Sequence, residues 1–420
     1  MNYRFCLISL FVLNAFGICA FGQFSYRLQD TQKDRLTLNF ELSQNLIIIP
    51  TRINRSTPLH LVLDSGIGNT IVTGLSDSDT VSIREARRIR VGGLGTGTPV
   101  DAFYSAGNMI DIEHPDDSTN RIRGFNKEIY VLTDDQFELS RQLGVKVNGL
   151  IGSDLFESFV ISIDPVQKTI TFHERETFNF KRETRSFSRI PLIVKNGKAY
   201  VDVKILQEND TSMIVRLLVD TGASLSFWIA PSADSAIRLP QKTVRSLLGQ
   251  GLNGPIDGVN GRLKKAELGP YTFRKPLVSY PDQASVVGLV LNATRHGSLG
   301  NDILRRFSVI MDFQGGSLYL RPNKNFKAPF TYNRSGMDVE RLSPAVPVYM
   351  IFSVIDGSPA GRAGLKPGDI IEYLNFVPAF SLNLDDINTI LYGESGRLVV
   401  LKINRNGEKL KLQFRLEGKI

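Results

Sequence analysis

Leu217-Leu218-Val219-Asp220-Thr221-Gly222-Ala223-Ser224 is the stretch on which the reading of the chain turns. An apolar run, which reads as a buried strand, stops at a carboxylate, and a hydroxyl residue and a glycine follow at once. An aspartate at such a strand end is costly to bury unless its hydrogen bonds are supplied. Thr221 offers a hydroxyl, and Gly222 lets a backbone N–H come close. Ordinary turns also produce Asp-(Ser/Thr)-Gly, so one copy says little. The chain holds a second: Leu61-Val62-Leu63-Asp64-Ser65-Gly66-Ile67-Gly68 has the same order.

The repetition continues downstream. Gly149-Leu-Ile-Gly-Ser-Asp-Leu-Phe156, Phe159-Val-Ile-Ser-Ile-Asp164 and Lys168-Thr-Ile-Thr-Phe172 have counterparts in Gly297-Ser-Leu-Gly-Asn-Asp-Ile-Leu304, Phe307-Ser-Val-Ile-Met-Asp312 and Gly316-Ser-Leu-Tyr-Leu320. These blocks lie 148 positions apart without a gap, and the two Asp-hydroxyl-Gly motifs lie 156 apart. The pattern is an internal duplication. Residues 23–177 form one copy and 178–330 the other, each built of short strands between turn residues. A glycine-rich stretch, Gly249–Gly261, stands in the second copy where Arg90–Gly97 stands in the first. Asn323–Arg334, polar and with Pro329, reads as a linker. A third unit over 335–420 holds a helical stretch, Asp385–Leu391, and two closing strands joined at Asn406-Gly407, a hairpin signal.

The 420 residues suffice for two or three domains with sizeable cores. With 42% apolar and 22% charged residues, composition excludes a disordered or collagen-like chain. The net charge of +8 is spread along the sequence. Its clusters at Arg84–Arg90 and Lys181–Arg189 are accompanied by no aromatic-basic recognition motif, so they read as solvated faces and no nucleic-acid partner is expected. Arg4, the apolar run Phe5–Phe21 and the small-x-small site Ala20-Phe21-Gly22 read as a secretory signal peptide over 1–22. The run is short for a membrane anchor and is interrupted by Ser9, Asn14 and Gly17. The expectation is an exported protein, periplasmic or extracellular. Both cysteines, Cys6 and Cys19, fall inside that segment, so the mature chain must rely on packing alone.

Competing chemistry is thin. The four histidines show no metal-ligand spacing. The glycines of Arg90–Val100 miss the Gly-x-Gly-x-x-Gly pattern, and no Gly-x-Ser-x-Gly elbow occurs. No metal, no cofactor and a monomer are expected. Two copies packed about a pseudo-two-fold axis would instead bring Asp64 and Asp220 face to face. Two carboxylates so placed cannot both ionise cheaply and share one proton. The ionised member can take a proton from a water as it attacks an amide carbonyl, while the protonated member stabilises the carbonyl oxygen.

In these motifs the chain, from about residue 35 to 322, resembles the aspartic protease family. Thr70 and Ser226, six residues past each aspartate, bring it nearer the retropepsin side of that family than to pepsin. The resemblance implies a mainly β, two-lobed pepsin/retropepsin-like fold and a polypeptide substrate. It implies the catalytic pair Asp64 and Asp220, supported by Ser65, Gly66, Thr221 and Gly222, with the two hydroxyls bracing the loops across the axis. The shared proton is this family's known arrangement. A flap carrying Gly92, Gly93, Gly95 and Gly97 should cover the substrate. Ile67 departs from the small residue usual after the motif glycine, and the flap tip has no clear aromatic, Tyr104 being only nearby. Two functions therefore stand side by side: an endopeptidase working at acidic pH, or a protease-like scaffold that binds peptides without turnover.

Gly357-Ser-Pro-Ala-Gly-Arg-Ala-Gly-Leu-Lys-Pro-Gly-Asp369 resembles the bacterial type of PDZ domain, a small α+β fold. That resemblance implies capture of a peptide C-terminus along a sheet edge, here with Val348, Tyr349, Met350, Ile351 and Phe352 as the groove strand. Pro344 and Pro347 remove N–H donors from the loop before it, so peptide capture stands against a purely docking role.

Overall fold

The two halves meet along a six-stranded sheet whose register is itself two-fold. The computed structural model describes residues 26–30, 32–114, 117–135, 137–286 and 295–420. The expected signal peptide lies outside the described residues. In the shared sheet, Arg35–Asn39, Thr169–His173 and Val160–Asp164 from the first half are followed by Phe307–Asp312, Ser317–Pro322 and Ser188–Pro191 from the second. The middle strands run antiparallel with Ile161 opposite Met311, Ser162 opposite Ile310 and Ile163 opposite Val309. Shifted by the 148-residue repeat, Ser162 falls on Ile310 and the other two pairs exchange. The pseudo-two-fold axis thus passes between Ser162 and Ile310. All six residues of Phe307–Asp312 are buried, as a strand covered on both faces requires.

Each half adds its own sheet, nine-stranded in the first and ten-stranded in the second. At the centre of each, the strand that leads into the motif aspartate runs parallel to a short neighbour. Leu59–Leu63 runs beside Gly149–Ile151, and Ser212–Val219 beside Gly297–Leu299. Thr70–Val72 and Phe227–Ile229 complete the pattern on the far side of the two short strands. Leu61, Val62, Leu63, Leu217 and Val219 are fully buried, which is why both strands read as unbroken apolar runs. A single core crosses the axis, with Phe156 and Phe313 stacked at 5.2 Å between ring centroids.

Residues beyond the linker form a six-stranded sheet with a core of their own, including Met337, Tyr349, Ile351, Ile371, Ile387 and Leu401. Its helix, Leu384–Leu391, starts at a capping box made by Asn383 and Asp386. The expected hairpin turns at Asn406 and Gly407, both at positive φ. One expectation needs correction. Val346–Val354 is not a free edge: Tyr349 pairs with Arg341 on one side and with Ile371 on the other. Val348, Tyr349, Met350, Ile351 and Phe352 therefore offer no groove strand, and Tyr349 and Ile351 are buried in the core. The edge is Met337–Ser343, a mixed stretch whose polar residues conceal a strand.

That edge already has a neighbour. The short helix Leu139–Leu143 of the first half lies against it. Arg141 pairs with Glu340, and the Arg341 guanidinium donates to the Gly144 carbonyl at 2.7 Å. Gly144 (φ 71°) sits between strand and helix, where a Cβ would lie 3.0 Å from Leu384 Cβ and 3.9 Å from Arg341 Cβ. Gln44 donates through its side-chain amide to Asp385 at 2.6 Å and accepts from Asn388 at 2.9 Å.

Candidate active site

The two central strands end at Asp64 and Asp220. Each aspartate donates its own N–H to the neighbouring short strand, Asp64 to Ile151 at 2.9 Å and Asp220 to Leu299 at 3.0 Å. Each carboxylate then accepts from the glycine two residues on, at 2.7 Å from Gly66 and 3.1 Å from Gly222. The position a Cβ would take on Gly66 is 3.0 Å from Asp64 Oδ1 and 3.0 Å from Asp220 Oδ1. At Gly222 a Cβ would fall 2.3 Å from Asp64 Cγ. One small volume, kept open by two glycines, is thus bounded by both carboxylates.

Ser65 and Thr221, both fully buried, lock the two loops together. The Thr221 hydroxyl accepts from the Ser65 N–H at 2.9 Å and donates to the Leu63 carbonyl at 2.7 Å. The Ser65 hydroxyl accepts from the Thr221 N–H at 3.1 Å and donates to the Val219 carbonyl at 2.7 Å. Gly152 and Gly300 let the chain pass close behind. A Cβ at Gly300 would fall 2.3 Å from the Leu225 carbonyl, and one at Gly152 2.9 Å from the Gly68 carbonyl. Ile67 turns its side chain into the apolar cluster of Leu46, Ile48, Val62 and Leu150, while its N–H supports Asp64. The bulk that looked anomalous in sequence therefore fills a wall and leaves the carboxylate's hydrogen bonds intact.

The two carboxylates are close but differently served. Burial, and next the charge of Asp220, push Asp64 up to about 7, against support from the Gly66 N–H, Lys198 and the Ile67 N–H. Burial also raises Asp220, but Arg295, the Ser298 hydroxyl, the Gly222 N–H and Lys198 all favour its charged form. A guanidinium and a hydroxyl that Asp64 lacks favour the charged form at Asp220, while burial raises both members of the pair.

The hairpin expected as a flap is formed by Arg87–Val91 and Val100–His114, with Gly92, Gly93, Gly95 and Gly97 at its tip. It meets its second-half counterpart, the hairpin of Val244–Gly251 and Gly254–Arg262, which the sequence showed as a glycine-rich stretch without indicating that the two tips touch. The tips bond directly: Gly93 N–H to Asn253 Oδ1 at 3.0 Å, Gly97 N–H to the Asn253 carbonyl at 2.6 Å, and Asn253 N–H to the Leu94 carbonyl at 2.7 Å. Each tip carries a leucine into the other half. Leu94 packs with Trp228, Leu248, Ile256 and Val286, and Leu252 with the Leu46, Ile48, Val62 and Leu150 cluster. A Cβ at Gly251 would lie 2.2 Å from the Leu94 carbonyl, so only glycine permits this approach. The glycines of Gly249–Gly261 were the available signal. Among the described residues no group of three or more His, Cys, Asp or Glu is placed to hold a metal ion.

Residues 201–303 match the family model for an aspartyl protease, and residues 350–405 that for a PDZ domain. The first match contains Asp220 and Gly300 and stops short of Asp64. A search of curated proteins gives no match. Among solved structures the chain is similar to conglutin gamma, a basic 7S globulin from lupine seeds, at 14% identity and a TM-score of 0.40, over 69% of this chain and 95% of that one. It is also similar to an aspartic proteinase from Irpex lacteus, at 14% identity and a TM-score of 0.39, over 70% of this chain and 99% of that one.

Proposed function

We propose that this chain, which carries an aspartyl protease-like domain and a PDZ domain, is an exported endopeptidase that hydrolyses peptide bonds with a water activated by Asp64 and Asp220. The observation that carries the reading is the single volume bounded by both carboxylates at the crossing of the two braced loops. Asp220, ionised, takes the proton of a water placed between the pair as that water attacks the amide carbonyl. Asp64, protonated, donates to the carbonyl oxygen and stabilises the charge that develops there. The proton gained by Asp220 then goes to the leaving nitrogen. Ser65 and Thr221 hold the loops so that neither carboxylate turns away, and the paired hairpin tips exclude bulk water.

The raised Asp64 extends the singly protonated state of the pair to about neutral pH. Activity on this account reaches beyond the acidic range expected from the sequence, and falls as Asp64 loses its proton. With Gly144 of the first half between Met337–Ser343 and Leu384–Leu391, the PDZ domain serves first as an internal brace. Export rests on the apolar run Phe5–Phe21. The test is digestion of an unfolded, reduced polypeptide in 18O-enriched water from pH 3 to 9, with products read by mass spectrometry. The reading expects new carboxyl ends carrying one solvent oxygen, up to about pH 7. No cleavage at any pH refutes it.

A further inference from the structure

We infer, building on the peptidase reading above, that the second-half side of the dyad receives a carboxylate next to the scissile bond, held by Lys198 and Arg295. The two halves present equivalent faces beneath the paired hairpins, but with different chemistry. In the first half, Ile48 pairs with Val62; two residues further along, Leu46 comes opposite Asp64. In the second, Tyr200 pairs with Leu218; two residues further along, Lys198 comes opposite Asp220. The same exchange puts Ser298 where Leu150 stands and Trp228 where Ile71 stands. One face is thus hydrocarbon, joined by Ile67 and Phe137. The other offers an ammonium, a phenol, a hydroxyl and an indole.

Lys198 and Arg295 are only partly exposed. Among the described residues neither forms an ion pair or a side-chain hydrogen bond, and the buried Arg295 Nε has no partner. Removing cations from water without a partner is costly. The dyad offsets part of this cost, since Lys198 acts on both aspartates and Arg295 on Asp220. A pair that shares one proton carries one negative charge, and these two side chains carry two positive ones. One positive charge is left over beside the dyad, next to a buried N–H donor. A carboxylate on the bound chain satisfies both. It can be the side chain of Asp or Glu, or the α-carboxylate of a peptide that ends there.

The experiment uses the full chain and one peptide sequence, varied to Glu, Gln, Leu or Lys at each position flanking the scissile bond. A second arm ends the Gln peptide one residue past the bond, as free acid or as amide. The inference expects kcat/KM for Glu to exceed that for Gln by roughly 10- to 100-fold at one flanking position. A preference of free acid over amide of that size assigns the site to the α-carboxylate instead. Lys198→Met and Arg295→Met should bring the ratio towards one, and Lys198→Glu should turn the preference towards Lys. Equal rates for Glu and Gln, and for acid and amide, overturn the inference. So does a ratio kept in both Met variants while their pH profiles shift alike for every peptide, because the cations would then only tune the dyad. Binding to Asp64→Asn protein, followed by fluorescence anisotropy, separates this from the peptidase reading. Tighter binding of the Glu or free-acid peptide supports the site even without turnover, and equal binding overturns it.

Discussion

Replacing Thr221 with valine keeps the shape of the side chain and removes its hydroxyl. Two buried backbone groups then lose their partners, the Ser65 N–H and the Leu63 carbonyl, which the hydroxyl serves at 2.9 and 2.7 Å. Each such orphan costs about 1–3 kcal/mol, so the variant should lose roughly 2–6 kcal/mol. That is a large share of the ~5–15 kcal/mol that keeps a typical protein folded. Thr221→Ser is the control: it keeps both bonds and gives up one buried methyl, about 1 kcal/mol. Urea unfolding of both variants, followed by tryptophan fluorescence from Trp228, measures the difference. Because the bonds span the two halves, peptide cleavage by Thr221→Val should fall with stability. If Thr221→Val unfolds within about 0.5 kcal/mol of Thr221→Ser, the hydroxyl exchange is not what holds the two loops, and the reasoning fails.

Asp64 is held at about 7 in the folded chain against an ordinary 3.8, so between those values the folded state keeps a proton that the unfolded state has lost. Stability should be highest below pH 4 as far as this group is concerned and fall by a few kcal/mol as pH rises through 7; Asp64→Asn should flatten that slope and be the more stable protein at pH 8, and an unchanged slope in urea titrations contradicts it. Gly251→Ala puts a methyl 2.2 Å from the Leu94 carbonyl and should part the hairpin tips, read as faster amide exchange over 92–97 and 251–254 and a raised KM. Arg141→Ala leaves Glu340, 3% exposed at its side chain, without its cation, and should loosen the PDZ domain, seen as faster exchange in 384–391 and a larger radius by small-angle scattering; unaltered exchange speaks against the brace.

Where local chemistry sets position, the letters were enough. Asp64 and Asp220 were legible because an apolar run stopping at Asp-hydroxyl-Gly solves one physical problem twice, whereas the axis between Ser162 and Ile310 follows from the 148-residue repeat only once the strand register is known. The second hairpin was visible only as glycines, since its role depends on a partner tip 158 positions away in sequence, Leu94 against Leu252. Lys198 was hidden by loop length. It lies 22 residues before Asp220, whereas Leu46 lies 18 before Asp64, and no spacing rule links them until strand register is known. The PDZ edge failed for a related reason. Met337–Ser343 carries charged residues that read as surface, and the block at Gly357–Asp369 drew attention to the strand beside it. Ile67 shows the converse, a residue type that looked wrong for its motif and is explained by the wall it packs against.

The central claim is that Asp64 and Asp220 act as one unit. It is tested most directly by kcat/KM on a single cleavable peptide for Asp64→Asn, Asp220→Asn and the double variant. Groups that work together are not additive. Each single change should cost at least ~100-fold, and the double variant should be no slower than either. Wild-type rates in one single variant, or losses that multiply in the double, would contradict the account.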